Sequence, residues 1–202
     1  MPKNSLATDP ESGLEAFDPD SGELNVIIET PKGHRNKFKY DGKSGLYKLG
    51  GVLPAGAVFP FDFGFVPSTL GGDGDPLDVL LLMDEPAFVG CLVPARLIGV
   101  IEAEQTEEGN TARNDRLIAV AADSHNHREV RSLDEISESL VDEIVHFFVS
   151  YNESKGKEFK PLGRFGPARA AGLVEEGVKL YSRKNGRDST SKGKAKPKAR
   201  KR

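Results

Sequence analysis

The sequence predicts an α+β fold, mainly β, in which short strands form a small barrel or sandwich and two α-helices pack on it. Two patterns carry that expectation. Up to about residue 121 the apolar residues fall in short, β-branched runs separated by glycine and proline, and beyond residue 132 they recur at spacings of three and four. The polar ends set the limits: a loose arm at 1–22, one domain at 23–181 and a disordered basic tail at 182–202.

Leu24 to Thr30 is β-branched and bounded by Gly22 and Pro31, which predicts a strand. Phe38 to Asp41 and Leu46 to Leu49 flank Gly42-Lys43-Ser44-Gly45, a hairpin pattern. Val79 to Met83, Cys91 to Ile101 and Arg116 to Ala121 are further strands. Ser132-Leu133-Asp134-Glu135 reads as a capping box, followed by one apolar helix face of Leu133, Ile136, Leu140, Ile144, Phe147 and Tyr151. A second helix begins at Pro167, where the missing N–H costs nothing, with Leu173, Val174, Val178 and Tyr181 as its apolar positions.

A chain of 202 residues suffices for one domain with a sizeable core. No run approaches the roughly 18 apolar residues of a membrane helix. Met1-Pro2-Lys3-Asn4-Ser5 lacks the apolar core of a secretory signal, so a cytoplasmic location is expected, without membrane attachment. Cys91 is the single cysteine, which excludes an intrachain disulfide framework and a cysteine-based zinc site. Residues 183–202 hold ten Lys or Arg against Asp188, a net of +9 that leaves −12 for the rest of a chain of formal charge −3. An acidic body suits cations better than nucleic acid, while the basic tail is suited to weak contacts with acidic partners.

The chemistry concentrates in Gly71-Gly72-Asp73-Gly74-Asp75-Pro76-Leu77-Asp78, ahead of the apolar run from Val79. A Gly/Pro turn can aim several carboxylates at one point, and a cation makes that crowding favourable. All-oxygen donors select Mg²⁺, Mn²⁺ or Ca²⁺ over zinc. Asp and Gly also gather in solvated turns, so spacing alone leaves both readings open. His125-x-His127 reads as a surface turn, and His146 as a packed or capping side chain.

Asp-Gly-Asp-Pro-x-Asp before an apolar strand resembles the signature of single-barrel soluble inorganic pyrophosphatases. Glu29-Thr30-Pro31-Lys32-Gly33-His34-Arg35-Asn36-Lys37 is similar to that family's first-strand segment, and Phe59 to Leu70 to the stretch before the aspartates. Val93 to Val100, Leu117 to Val120 and His146-Phe147-Phe148 continue the likeness in order, over roughly residues 24–152. The resemblance implies a small closed OB-like barrel, hydrolysis of inorganic diphosphate by a metal-activated water, several Mg²⁺ ions with Mn²⁺ as alternative, and a homo-oligomer. It implies Asp73 and Asp78 as metal ligands, joined by Asp115 and Glu104. Asp75 becomes the residue that orients or deprotonates the water, Glu29 an inward carboxylate, and Lys37, Tyr151 and Arg116 phosphate ligands.

The sequence also departs from that family. Phe59 and Phe63 stand where it has tyrosines, Gly51 where it has an arginine, Lys39 for a glutamate and Asn152 for a lysine. Aligning Arg116 with a family lysine puts Asn114 at a metal-binding aspartate and Asp115 one residue late, and on a strand one residue turns the side chain to the other face. Lys160, Arg164 and Arg169 are expected to take over part of the phosphate clamp, against the plainer reading of a solvated basic loop. Three functions follow: a diphosphatase, a divergent relative acting on another phosphoanhydride or phosphate ester, and a catalytically inactive binding protein.

Overall fold

Five strands close on themselves. The computed structural model describes residues 13–191, with side chains to residue 185. Its elements are β1 (Leu24–Thr30), β2 (Asn36–Asp41), β3 (Leu46–Val52), β4 (Asp62–Phe65), β5 (Asp78–Leu82), β6 (Leu92–Glu107), β7 (Asn110–Arg113), β8 (Arg116–Ala121), α1 (Glu138–Glu153), β9 (Glu158–Phe165) and α2 (Pro167–Ser191). β1 pairs β4, β4 pairs β5, β5 pairs β8, β8 pairs β6 and β6 returns to β1. A ring of this kind has no free edge, so the sheet is the closed barrel rather than the sandwich. All these pairings are antiparallel except β5–β8.

Both faces of the ring are covered. Leu80, Leu82, Ile118 and Val120 pack with Val141, Ile144 and Phe148 of α1, whereas Val79, Leu81, Leu117 and Ala119 pack with Ala170 and Val174 of α2. Coverage on two sides is why β5 and β8 read as continuous apolar runs rather than alternating ones. No helix among the described residues is long and apolar enough to cross a membrane.

The β2–β3 hairpin forms its own two-stranded sheet. Side chains of β1 fasten it to the barrel: Tyr40 N donates to Glu29 Oε1 at 2.8 Å, and Phe38 N to Thr30 Oγ1 at 3.2 Å. The long β6 runs past the ring to pair with β7 and β9.

Several expectations need correction. The capping box closes a 3-10 turn at Leu133–Glu135, where Asp134 N donates to Ser132 Oγ and Arg131 N to Glu135; α1 itself starts at Glu138. β4, β7 and β9 lie in segments without a strand signature; β9 carries Pro161 where its pairing with β6 shifts register, a position that tolerates proline. The arm is not loose over its described part: Ala16 is buried, Phe17 bridges Leu24, and Ser68 Oγ donates to Leu14 O. α2 continues through the expected boundary at 181 to Ser191, because helix propagation adds a hydrogen bond per residue without needing an apolar face. The rest of the arm, 1–12, and of the tail, 192–202, lies outside the described residues.

Candidate active site

A cavity of about 760 Å³ opens between the β2–β3 hairpin, the Gly71–Asp78 loop, the end of α1 and the C-terminal half of α2. One wall is acidic. Glu29, Asp73, Asp75 and Asp78 all line it, brought together from β1 and from the single turn before β5. Lys37 and Lys39 enter from β2, Arg116 from β8, and Tyr151 and Lys155 from the end of α1.

The loop's composition explains its shape. Gly74 has φ of 87°, a conformation that a Cβ would strain. Gly72 lies against Arg113, where an added Cβ would stand 3.1 Å from that residue's own Cβ. Asp73 Oδ1 accepts Asp75 N at 3.1 Å, and Gly71 N donates to Asp75 O at 2.7 Å. Leu77 N is held by Thr69 Oγ1 at 3.0 Å, which fixes the start of β5. The turn therefore does make Asx-type bonds of the ordinary kind, and its three carboxylates line the solvent-open cavity.

Charge is unevenly satisfied there. Glu29 is 7% exposed, and burial pushes its carboxyl up to about 7, against the backbone bond from Tyr40 and the nearby Lys37 charge. Burial likewise raises Asp73, with Asp78 and Asp75 adding to the rise. Asp75 Oδ2 pairs with Lys39 Nζ at 2.7 Å, and Asp78 Oδ2 with Arg116 Nη1 at 2.7 Å. Burial pulls the Lys39 ammonium down, but Asp75, Glu29 and Asp78 together hold it above its ordinary value. Arg116 is 4% exposed, stacks over Phe148 and Phe159 at 5.0 and 5.4 Å, and donates to Asp115 O and Asn114 Oδ1.

The donor set is hard oxygen, which suits Mg²⁺ or Mn²⁺. Among the described residues no three Asp, Glu, His or Cys side chains converge to enclose an ion. Magnesium keeps several waters and binds through one or two carboxylates plus substrate oxygens, so an open acidic wall fits it better than a closed cage would. Burial is the main cause of the raised Asp73 and Glu29 carboxyls, with neighbouring carboxylates adding to it, and a nearby cation would favour their ionised forms.

Three expected site residues lie elsewhere. Asn114 and Arg116 line the cavity, while Asp115 between them turns away to accept Ala103 N at 2.9 Å and pair with Arg113 at 2.8 Å. On β6 it is Gln105, not Glu104, that lines the cavity, because neighbouring side chains on a strand take opposite faces. Arg164 lies on β9 outside the cavity and pairs with Asp142 of α1, and Arg169 pairs with the buried Glu102 at 2.6 Å. Among Lys160, Arg164 and Arg169 none lines the cavity. Phe59 and Phe63 are each 1% exposed; Phe59 packs edge-on against Phe147 and tilted against Tyr151, and Phe63 tilted against Phe148. His125 and His127 lie in a surface turn held by Asp84 and Ser124, and His146 is exposed on α1.

Other cavity residues carried no motif. Lys155 and Lys157 flank Gly156 just after α1, and Tyr181, Lys184 and Asn185 come from the part of α2 near and beyond the expected domain end. Their one sequence signal was spacing: Lys155 follows Tyr151 by one helical turn, as Lys184 and Asn185 follow Tyr181.

Comparison with known proteins gives consistent results. A family model described as inorganic pyrophosphatase matches residues 26–182. An inorganic pyrophosphatase of Synechocystis sp. is 37% identical over 163 residues, 81% of this chain and 94% of that one. A soluble inorganic pyrophosphatase of Zea mays is 35% identical over 90% of this chain and 83% of its own. The crystal structure of inorganic pyrophosphatase from Thermus thermophilus superposes with a TM-score of 0.78 at 32% identity, covering 87% of this chain and 99% of that one.

Proposed function

The chain belongs to the inorganic pyrophosphatase family and hydrolyses inorganic diphosphate to two phosphates, and we propose that it does so in this cavity with several Mg²⁺ ions, Mn²⁺ being the alternative. The observation that carries the reading is the pairing of one acidic wall with a lysine- and tyrosine-bearing wall across one cavity. Bound on the acidic wall, the metal would lower the pKa of a water and neutralise phosphate charge.

The residues divide the remaining work. Asp73 and Asp78 are the ligands. Asn114 and Gln105, which face the cavity where Asp115 and Glu104 do not, offer neutral amide groups beside them and are bonded to each other at 3.1 Å. Asp75, half-exposed and oriented by Lys39, accepts the proton of the attacking water. Glu29 sits behind it as a buried carboxyl that ionises when cation charge accumulates. Lys37, Arg116 and Tyr151 hold phosphate oxygens, supplying positive charge and hydrogen bonds where negative charge builds on the leaving group. Arg116 is pinned by Asp78, Asn114 and two aromatic rings, so its guanidinium is positioned before substrate arrives.

The decisive experiment is phosphate release from diphosphate with Mg²⁺, for wild type, Asp78→Asn and a chelator control. Release that is lost in both controls is the expected result. If a folded wild type released nothing, the assignment of this cavity would be wrong. The cavity's size supports a second reading, action on a bulkier phosphoanhydride or phosphate ester, since it falls within the roughly 300–1,000 Å³ of sites for drug-sized ligands. A substrate panel in the same assay separates the two. A homo-oligomer and a cytoplasmic location complete the proposal. Exposed Leu46, Leu49 and Val52 on β3 support the first, tested by light scattering, and cell fractionation tests the second.

A further inference from the structure

Two ammonium groups approach the same aromatic ring in the cavity, and neither has an ion-pair partner among the described residues. Lys37 Nζ reaches the Tyr151 ring from β2 at 5.5 Å and lies 5.0 Å over Phe63. Lys155 Nζ stands 4.4 Å from the centre of the Tyr151 ring and donates to its hydroxyl oxygen. Lys39 and Lys157, which line the same cavity, are each matched by a carboxylate at 2.7 Å, Asp75 and Glu107 respectively. Among the described residues Lys37 and Lys155 make no such pair. Aromatic faces hold an ammonium without neutralising it. Glu29 acts on Lys37 through space and not as an ion pair, and two ammonium groups within about 10 Å of each other repel, which an anion between them relieves.

The backbone fixes this arrangement. After α1 the chain turns tightly, with Lys155 N and Lys157 N both donating to Asn152 O at 2.9 and 3.0 Å, and Gly156 at φ of 72°. That turn keeps Lys155 on the helix face of Tyr151. On the opposite side, Gly51 of β3 is the cross-strand partner of Lys37. A Cβ added at Gly51 would have a single heavy atom within 4 Å, Lys155 Nζ at 3.9 Å. The glycine thus leaves open, beside Lys37 on the hairpin, the space into which the Lys155 ammonium projects. Because Lys155 fills an acceptor site of the Tyr151 hydroxyl, the phenolic proton is left to donate elsewhere.

We infer that Lys155 is a phosphate-binding residue, closing with Lys37 a two-ammonium clamp over Tyr151 that holds one phosphoryl group of the substrate or product. The inference rests on the diphosphatase reading above and names a residue that reading does not use. Its ligand is a phosphoryl dianion, for which two ammonium groups and a hydroxyl donor are complementary in charge and hydrogen bonding.

The test compares wild type, Lys155→Met, Lys155→Arg and the double variant Gly51→Lys with Lys155→Met. Methionine keeps the stem packed on Tyr151 while removing the charge, and thermal melts check that each variant folds. Calorimetry measures inorganic phosphate and Mg²⁺ binding, and steady-state assays give kcat and KM for diphosphate. Lys155→Met should weaken phosphate binding and raise KM about 10- to 100-fold, the scale of one charged hydrogen bond, with Mg²⁺ affinity in the absence of phosphate unchanged. Lys155→Arg should keep most of the affinity. A lysine at position 51 should restore part of it, since it starts from the opposite wall of the same space. Unchanged phosphate affinity and KM in Lys155→Met, or wild type that binds no phosphate, overturns the clamp. Wild type that binds phosphate but does not cleave diphosphate instead overturns the proposed reaction, and the binding comparison still decides the clamp.

Discussion

Replacing Glu29 by glutamine should change how stability depends on pH, and by a calculable amount. Glu29 is buried on β1, and its carboxyl is pushed from an ordinary 4.5 up to about 7, chiefly by burial. Below pH 4.5 the residue is protonated in folded and unfolded chains alike, and the protonated carboxyl's contribution is fully present. Between 4.5 and 7 the unfolded chain ionises first while the folded one holds its proton, so stability falls as pH rises and is lost through about 7. The displacement of the carboxyl corresponds to about 3 kcal/mol at 1.36 kcal/mol per pH unit. Glutamine keeps the oxygen that accepts Tyr40 N and has nothing to titrate. Thermal melts of metal-free protein from pH 4 to 8.5 should show the variant gaining on wild type by about 6–12 °C across that window, at 2–4 °C per kcal/mol for a chain of this size. Groups that do not interact with Glu29 titrate alike in both proteins and cancel in the difference. A difference in melting temperature that stays flat with pH, or that runs the other way, would refute the argument.

Two further predictions follow from the charge pairs. Lys39→Met frees Asp75 from its ion pair, so Mg²⁺ affinity measured by calorimetry should rise about two- to fivefold, the range of an exposed pair worth under 1 kcal/mol; unchanged affinity would mean that the pair does not compete with a cation. Arg164→Ala should leave kcat and KM for diphosphate unchanged, because the side chain faces Asp142 and not the cavity, and a raised KM would return it to the clamp.

The parts of the fold legible in the sequence are those whose signal is local. β1 and β8 coincide with β-branched runs, the β2–β3 turn with its glycines, and α2 begins at the proline where a helix can begin. The aspartate loop was legible for the same reason, since Gly71 to Asp78 carries both the turn and three carboxylates that line the cavity. What was hidden depends on partners distant in sequence. β9 is polar and interrupted by Pro161 and Gly163, and it is a strand because the length of β6 offers it a ladder. Asp115 against Asn114 was a question of which side chain faces the cavity, and it turns on the bonds that draw Asp115 to Ala103 N and Arg113. Arg164 and Arg169 looked like free cations because Asp142 and Glu102, which bind them, lie elsewhere in the chain. Lys155 carried no motif, since its meaning depends on the empty space at Gly51 across the cavity.

The two ion pairs on the acidic wall also differ in what they permit. Asp78 and Arg116 form a pair in which the guanidinium is 4% exposed, bonded to Asn114 and the Asp115 carbonyl, and stacked on Phe148 and Phe159. Removing one partner of a buried pair typically costs about 3–5 kcal/mol, because the other charge is stranded. Asp75 and Lys39 are both about half-exposed and have a single bond between them, the kind of pair worth roughly 0–1 kcal/mol. Lys39 can therefore swing into water at little cost, leaving Asp75 free to take up a proton or a cation, while Arg116 stays in place. Asp78 retains a second carboxylate oxygen outside that bond and can serve a cation without releasing Arg116. The wall thus divides into a rigid part that aims charge at the substrate and a soft part, Lys39 on Asp75, that yields at the carboxylate assigned to proton transfer.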